Sequence, residues 1–200
     1  MKKKKQVTQQ FVLSIMLLAI AICPTAFGML NDQCPLHYAA WQGDEIAVNQ
    51  LLDDGADIDF RDKDGESPLH KAALHNKPAI AQILLRRGAN ANLKDHYNRN
   101  PLHYAVMQYD ASIIAALLEA GTDINFQDKD GWTPLHFAIS SNELANIQML
   151  LAAGANANLP DKRGRTPLHK ASCHYAEPTR ALLEAGAELG TGQEHGWCRW

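Results

Sequence analysis

Catalytic signatures are missing from this 200-residue chain. It has no Gly-x-Ser-x-Gly elbow, no His-Glu-x-x-His, no phosphate-cradling glycine loop and no Gly-x-Gly-x-x-Gly turn. The spacings that would present a nucleophile, a zinc pair or a nucleotide site are therefore absent. Cysteine is scarce at four residues. Cys23 falls in the leader described below. Cys34, Cys173 and Cys198 are too few for a disulfide framework, so a hydrophobic core must hold the fold. Their odd number implies at least one unpaired thiol or an intermolecular bridge. Positive charge is short as well. Residues 1–28 hold four of the 19 basic side chains and none of the 22 acidic ones, which leaves 15 against 22 in the rest. Such a balance matches phosphate backbones poorly, so no nucleic-acid partner is expected. With 46% hydrophobic residues, long disorder is not expected either.

The longest apolar run is Phe11 to Ile22, 12 residues interrupted by Ser14. That is short for a bilayer span. Lys2 to Lys5 precede it, and Ala26 and Gly28 follow at the −3 and −1 positions of a cleavage site. This order of parts predicts a signal peptide over residues 1–28, with export to the periplasm or the exterior. The alternative is an uncleaved anchor through residues 11–22, the one route by which the chain would meet a membrane. A lipid on Cys23 is disfavoured by Ile22, which stands where a small residue is expected.

Beyond the leader the chain repeats itself. Pro-Leu-His recurs at 35–37, 68–70, 101–103, 134–136 and 167–169, always 33 residues apart. Leu-Leu-x-x-Gly recurs with it, ending at Gly55, Gly88, Gly121, Gly154 and Gly186. A fixed period of this size means stacked units. Ser67, Asn100, Thr133 and Thr166 precede the later prolines as helix caps, and proline in the first helical position loses no hydrogen bond. A short Leu/Ala-lined helix should follow, then a second with an Ile/Leu stripe such as Ile80, Ile83, Leu84 and Leu85, ended by glycine. Asp62-Lys63-Asp64-Gly65 and its counterparts at 95–98, 128–131 and 161–164 read as turns, with Asn98 in the place of glycine. Their acidic tips are expected to sit in water with ordinary carboxylate behaviour.

Thr133-Pro134-Leu135-His136-Phe137-Ala138 and Thr166-Pro167-Leu168-His169-Lys170-Ala171 match the Thr-Pro-Leu-His-x-Ala signature of the ankyrin repeat. Gly88-Ala89-Asn90-Ala91-Asn92 and Gly154-Ala155-Asn156-Ala157-Asn158 resemble that family's inter-repeat segment. The resemblance covers about residues 30–190. It implies an all-α solenoid of stacked helix-turn-helix units joined by β-hairpin-like turns. Five repeats are expected over 29–190, at about 29–61, 62–94, 95–127, 128–160 and 161–190, followed by a tail at 191–200. Repeat one, with Cys34 at its cap, resembles an N-terminal capping unit. Repeat five is one residue short between Pro167 and Gly186, which predicts an irregular or clipped second helix. The tail, with Trp197 and Trp200, is expected to fold back over it.

His37, His70, His103, His136 and His169 form a ladder. Stacked helices lie about 8–10 Å apart, whereas zinc needs each nitrogen within about 2.1 Å. The ladder therefore cannot converge on a metal. The resemblance implies instead a structural hydrogen-bonder tying each helix start to an adjacent turn. Cys173-His174 and His195-x-x-Cys198 have metal-like spacing in one half only. An exported compartment favours a Cys173–Cys198 disulfide over zinc, but the leading reading is that the group forms neither. No cofactor and no metal are expected.

The resemblance also implies protein binding by the turn tips and the exposed side of the first helices, which form one concave surface. Trp41, Leu74 and Met107 occupy such helix positions, and Tyr97, Arg99, Trp132 and Arg165 occupy the turns. Aromatic and apolar anchors of this kind are typical of interface hot spots. Lys63, Lys129, Lys162 and Arg163 add basic charge to the turns, which points to an acidic partner surface. The expected protein is a monomeric, exported binding module. Two other readings are kept: a periplasmic accessory protein that stabilises an enzyme, and, least supported, an enzyme.

Overall fold

A computed structural model describes residues 34–108, 110–172 and 175–188. The leader at 1–28, the Cys173–Cys198 pairing and the tail at 191–200 lie outside the described residues. Within them the chain is helical throughout, in five helix pairs. They are α1 (Pro35–Gln42) with α2 (Glu45–Asp53), α3 (Pro68–Leu74) with α4 (Pro78–Arg86), and α5 (Pro101–Ala105) with α6 (Ser112–Glu119). Then come α7 (Pro134–Ser141) with α8 (Leu144–Ala152), and α9 (Pro167–Ser172) with α10 (Ala176–Glu184).

The odd-numbered helices stack in one layer and the even-numbered ones run alongside: α2 with α4, α4 with α6, and α8 with α10. Alanine sets the spacing of the first layer. Ala40, Ala72, Ala73, Ala105, Ala138 and Ala171 are all at 0% exposure. A larger side chain there would force the helices apart. The second layer supplies bulk, with Val48, Ile80, Leu84, Leu117, Leu150 and Leu182 buried. Each leucine shielded in this way contributes about 1.5–3 kcal/mol. Ile83 and Leu85, on the same stripe as Leu84, are only half-buried against that core.

The fifth pair differs from its expectation. α10 runs nine residues, as long as α8. The missing residue falls ahead of it, since α10 starts nine residues after its proline and α8 ten. The connector can lose a residue without cost to the core, whereas a clipped helix would withdraw Leu182 from it.

The third pair is the irregular one. α5 stops at Ala105 after five residues, three fewer than α7. Carbonyls beyond a helix end need outside donors. The buried side chain of Asn146 on α8 supplies them, its Nδ2 donating to Val106 O at 3.0 Å and Gln108 O at 2.7 Å.

Candidate protein-binding face

The turns between pairs build this face, and each is wound around one aspartate. Oδ1 of Asp95 accepts the N–H groups of Tyr97 and Arg99, both at 2.8 Å. Asp62, Asp128 and Asp161 do the same two and four residues ahead, at 2.8–3.0 Å. Asp95, Asp128 and Asp161 are buried, contrary to the expectation of turn tips standing in water; only the later Asp64 and Asp130 are exposed. The cause is the next turn. His96 N donates to Asp64 O at 3.0 Å, Lys129 N to Tyr97 O at 2.9 Å and Lys162 N to Asp130 O at 2.9 Å. Turns so joined form a continuous ledge that roofs the first aspartate of each. Burial opposes the charge of Asp161, but hydrogen bonds from the Arg165 side chain and from the turn's N–H groups hold its carboxyl below the ordinary range.

The close approach of successive turns also explains one glycine. A Cβ on Gly131, whose φ is +82°, would lie 2.7 Å from Lys162 N. Asn98 takes the equivalent place in the third unit at φ +63°, as its tolerance of that conformation predicts. Its Nδ2 donates to Gln127 O at 2.8 Å.

The histidines lock each first helix to this ledge. Nε2–H of His70 donates to Arg99 O at 3.0 Å, that of His103 to Trp132 O at 3.2 Å, and that of His136 to Arg165 O at 3.4 Å. Nδ1 of each accepts its own cap's backbone N–H, from Ser67, Asn100 and Thr133, at 3.1–3.2 Å. For His70 and His136, whose Nδ1 also faces a hydroxyl, the tautomer follows from the partners, because a carbonyl can only accept. Burial holds all three rings neutral, with pKa values lowered to about 4. Each ring thus serves two units, its own helix start and the turn of the next.

The sequence-predicted anchors divide into two groups. Tyr97 and Trp41 stand out at 59% and 39% exposure. Trp41 packs its ring 5.5 Å from Tyr38 and 5.8 Å from His75. Leu74, Met107 and Trp132 are half-buried against the core, so they are not free of packing as expected. Trp132 stacks on His136 at 6.2 Å, meets Phe137 edge-on at 5.3 Å, and lies 3.7 Å under Lys170 Nζ. The two arginines are committed as well. Arg99 pairs with Asp128 at 3.2 Å and Arg165 with Asp161 at 2.6 Å. They brace the ledge rather than extending from it.

Between the turns 128–132 and 161–165 opens a cavity of about 390 Å³, lined by Asp130, Trp132, Asp161, Lys162, Arg163, Arg165 and Lys170. The sequence places Lys170 in the repeat signature but gives no reason to set it on the binding face. Its position reveals it only in retrospect, as the x of Thr-Pro-Leu-His-x-Ala, one residue after a histidine whose ring faces inward.

A family model described as ankyrin repeats, in three copies, matches residues 36–128 and, overlapping, 102–192. No curated protein matches the chain.

Proposed function

This chain belongs to the ankyrin-repeat family, whose members are generally protein–protein interaction modules, and we propose that it is an exported one that grips its partner with the turns and first helices. The observation that carries the proposal is the exposure of Tyr97, 59%, on a turn whose backbone is fully engaged. Leaving a large aromatic this exposed on a rigid support, with the Arg99 guanidinium 5.2 Å from its ring centroid, costs solubility, which is the usual character of an interface anchor. Trp41 and Tyr38 are exposed together on α1 as a contacting pair, at 39% and 40%. Export rests on the lysine-led apolar run and the Ala26-x-Gly28 site.

Affinity capture with the wild-type chain and with a Trp41→Ala/Tyr97→Ala chain tests this reading. The wild type should recover a protein that the variant loses, while both melt at the same temperature. Equal recovery by the two places binding elsewhere. N-terminal sequencing of the exported product should begin at Met29.

A further inference from the structure

The cavity between the last two turns has a composition unlike the surface around it. Outside the leader the chain is acidic, yet four of the seven residues lining this space are cationic. Of its two carboxylates, Asp161 is taken by Arg165 at 2.6 Å. Lys162 and Lys170 make no ion pair among the described residues, and besides Asp130 the negative charge near them is that of Asp161, which Arg165 already holds. The floor is the indole of Trp132. Its contacts with His136 and Phe137 fix its orientation before anything binds. Lys170 is drawn over this ring at 3.7 Å to its centroid. A partly buried ammonium that lies on a π-face without an ion pair of its own is an unfinished electrostatic arrangement. Burial and the nearby Arg165 depress its pKa, which Asp161 offsets only in part, and an incoming negative charge would further favour the charged form.

We infer that this cavity receives a carboxylate side chain of the protein partner, held between Lys162 and Lys170 with its aliphatic stem against Trp132. The inference rests on the chain being a protein-binding module and names the chemistry of the segment it takes: an acidic stretch, glutamate in preference to aspartate because the longer stem covers more indole. A bare anion would meet the cations but not the ring.

The test is a titration of the full chain with end-blocked hexaglutamate, followed by the Trp132 indole ¹⁵N–H signal, with hexaglutamine and inorganic phosphate as comparison probes. Hexaglutamate should shift that signal saturably, and hexaglutamine should bind at least tenfold more weakly. Lys170→Gln should weaken hexaglutamate about tenfold, as expected for loss of one charge-assisted contact. Lys170→Arg should retain binding, which separates charge from folding, and Arg86→Gln on α4 should leave it unchanged. Equal response to hexaglutamine, indifference to Lys170→Gln in a folded protein, or displacement by phosphate at the peptide's own concentration would each overturn the inference. A partner captured through Trp41 and Tyr97 yet indifferent to Lys170→Gln refutes the acidic pocket alone. Failure of the wild-type chain to capture any protein refutes the broader reading instead.

Discussion

The first and second helix pairs begin with the same Pro-Leu-His and end up in different states. His70 has both ring nitrogens bonded, one to the cap of its own helix and one to Arg99 O in the following turn. His37 makes only the second kind of bond, to Glu66 O at 2.9 Å, and its buried Nδ1 has no partner among the described residues. The difference lies in the cap. Ser67 brings a hydroxyl within 2.8 Å of the His70 ring, whereas Cys34 makes no side-chain cap bond. The same motif is thus a complete lock inside the stack and half a lock at its edge. A histidine here has a structural value set by the residue three positions before it.

Acid should expose the contrast most strongly. In the unfolded chain histidine titrates near 6.5, whereas His70, His103 and His136 do so at about 4 in the folded protein. Between those values the unfolded state binds more protons, so the stability these rings confer is complete above pH 6.5 and is lost as pH falls toward 4. The loss is on the order of 3 kcal/mol for each ring at the lower end. Urea midpoints measured from pH 7 to pH 4 should fall steeply, above the range in which aspartates titrate. Flat midpoints across that window would show that the folded rings titrate as they do in the unfolded chain.

Substitution should reproduce the contrast on a smaller scale. His103→Ala is expected to cost about 1–3 kcal/mol, because Trp132 O and the Asn100 N–H lose their shared partner. His37→Ala should cost distinctly less, and equal losses in chemical denaturation would erase the distinction. Asn146→Leu probes the other polar lock. Orphaning Val106 O and Gln108 O should cost about 1–3 kcal/mol, whereas an unchanged melting temperature would show that water replaces the amide. The smallest effect runs in the favourable direction. Cys34→Thr gives His37 Nδ1 the hydroxyl it lacks, and should raise stability by about 0.5–1.5 kcal/mol. A lower melting temperature would mean that the thiol packs better than a hydroxyl bonds.

Much of this fold is legible in the residue string, because the 33-residue period ties proline, histidine and glycine to fixed places in a helix pair. Asn98 in left-handed conformation and the inward histidines follow from single-residue chemistry. The candidate face was less legible, and for one reason. Whether Asp95 or Trp132 is covered depends on a neighbour about one unit away in the chain. The turn at Lys129 bonds to Tyr97 O, and Lys170 reaches back 38 residues to lie on Trp132. Spacing shows that such residues are stacked, but not which side chain ends up underneath. The same holds for Asn146, whose only sign in sequence is a polar residue within an apolar stripe, and whose partners lie 38 and 40 residues earlier.

The bonds across unit boundaries have a further consequence. Histidine to turn, turn to turn and Asn146 to the end of α5 are bonds spanning 29 to 40 residues, and each joins neighbouring units. Among the described residues nothing of this kind fastens one end of the stack to the other. Under a pulling force the molecule should therefore behave as a row of fasteners loaded in series, opening one boundary at a time and drawing out a similar length of slack with each. The His37 bond to Glu66 O is intact, so the gap at its Nδ1 loosens the start of the first helix and not the boundary behind it.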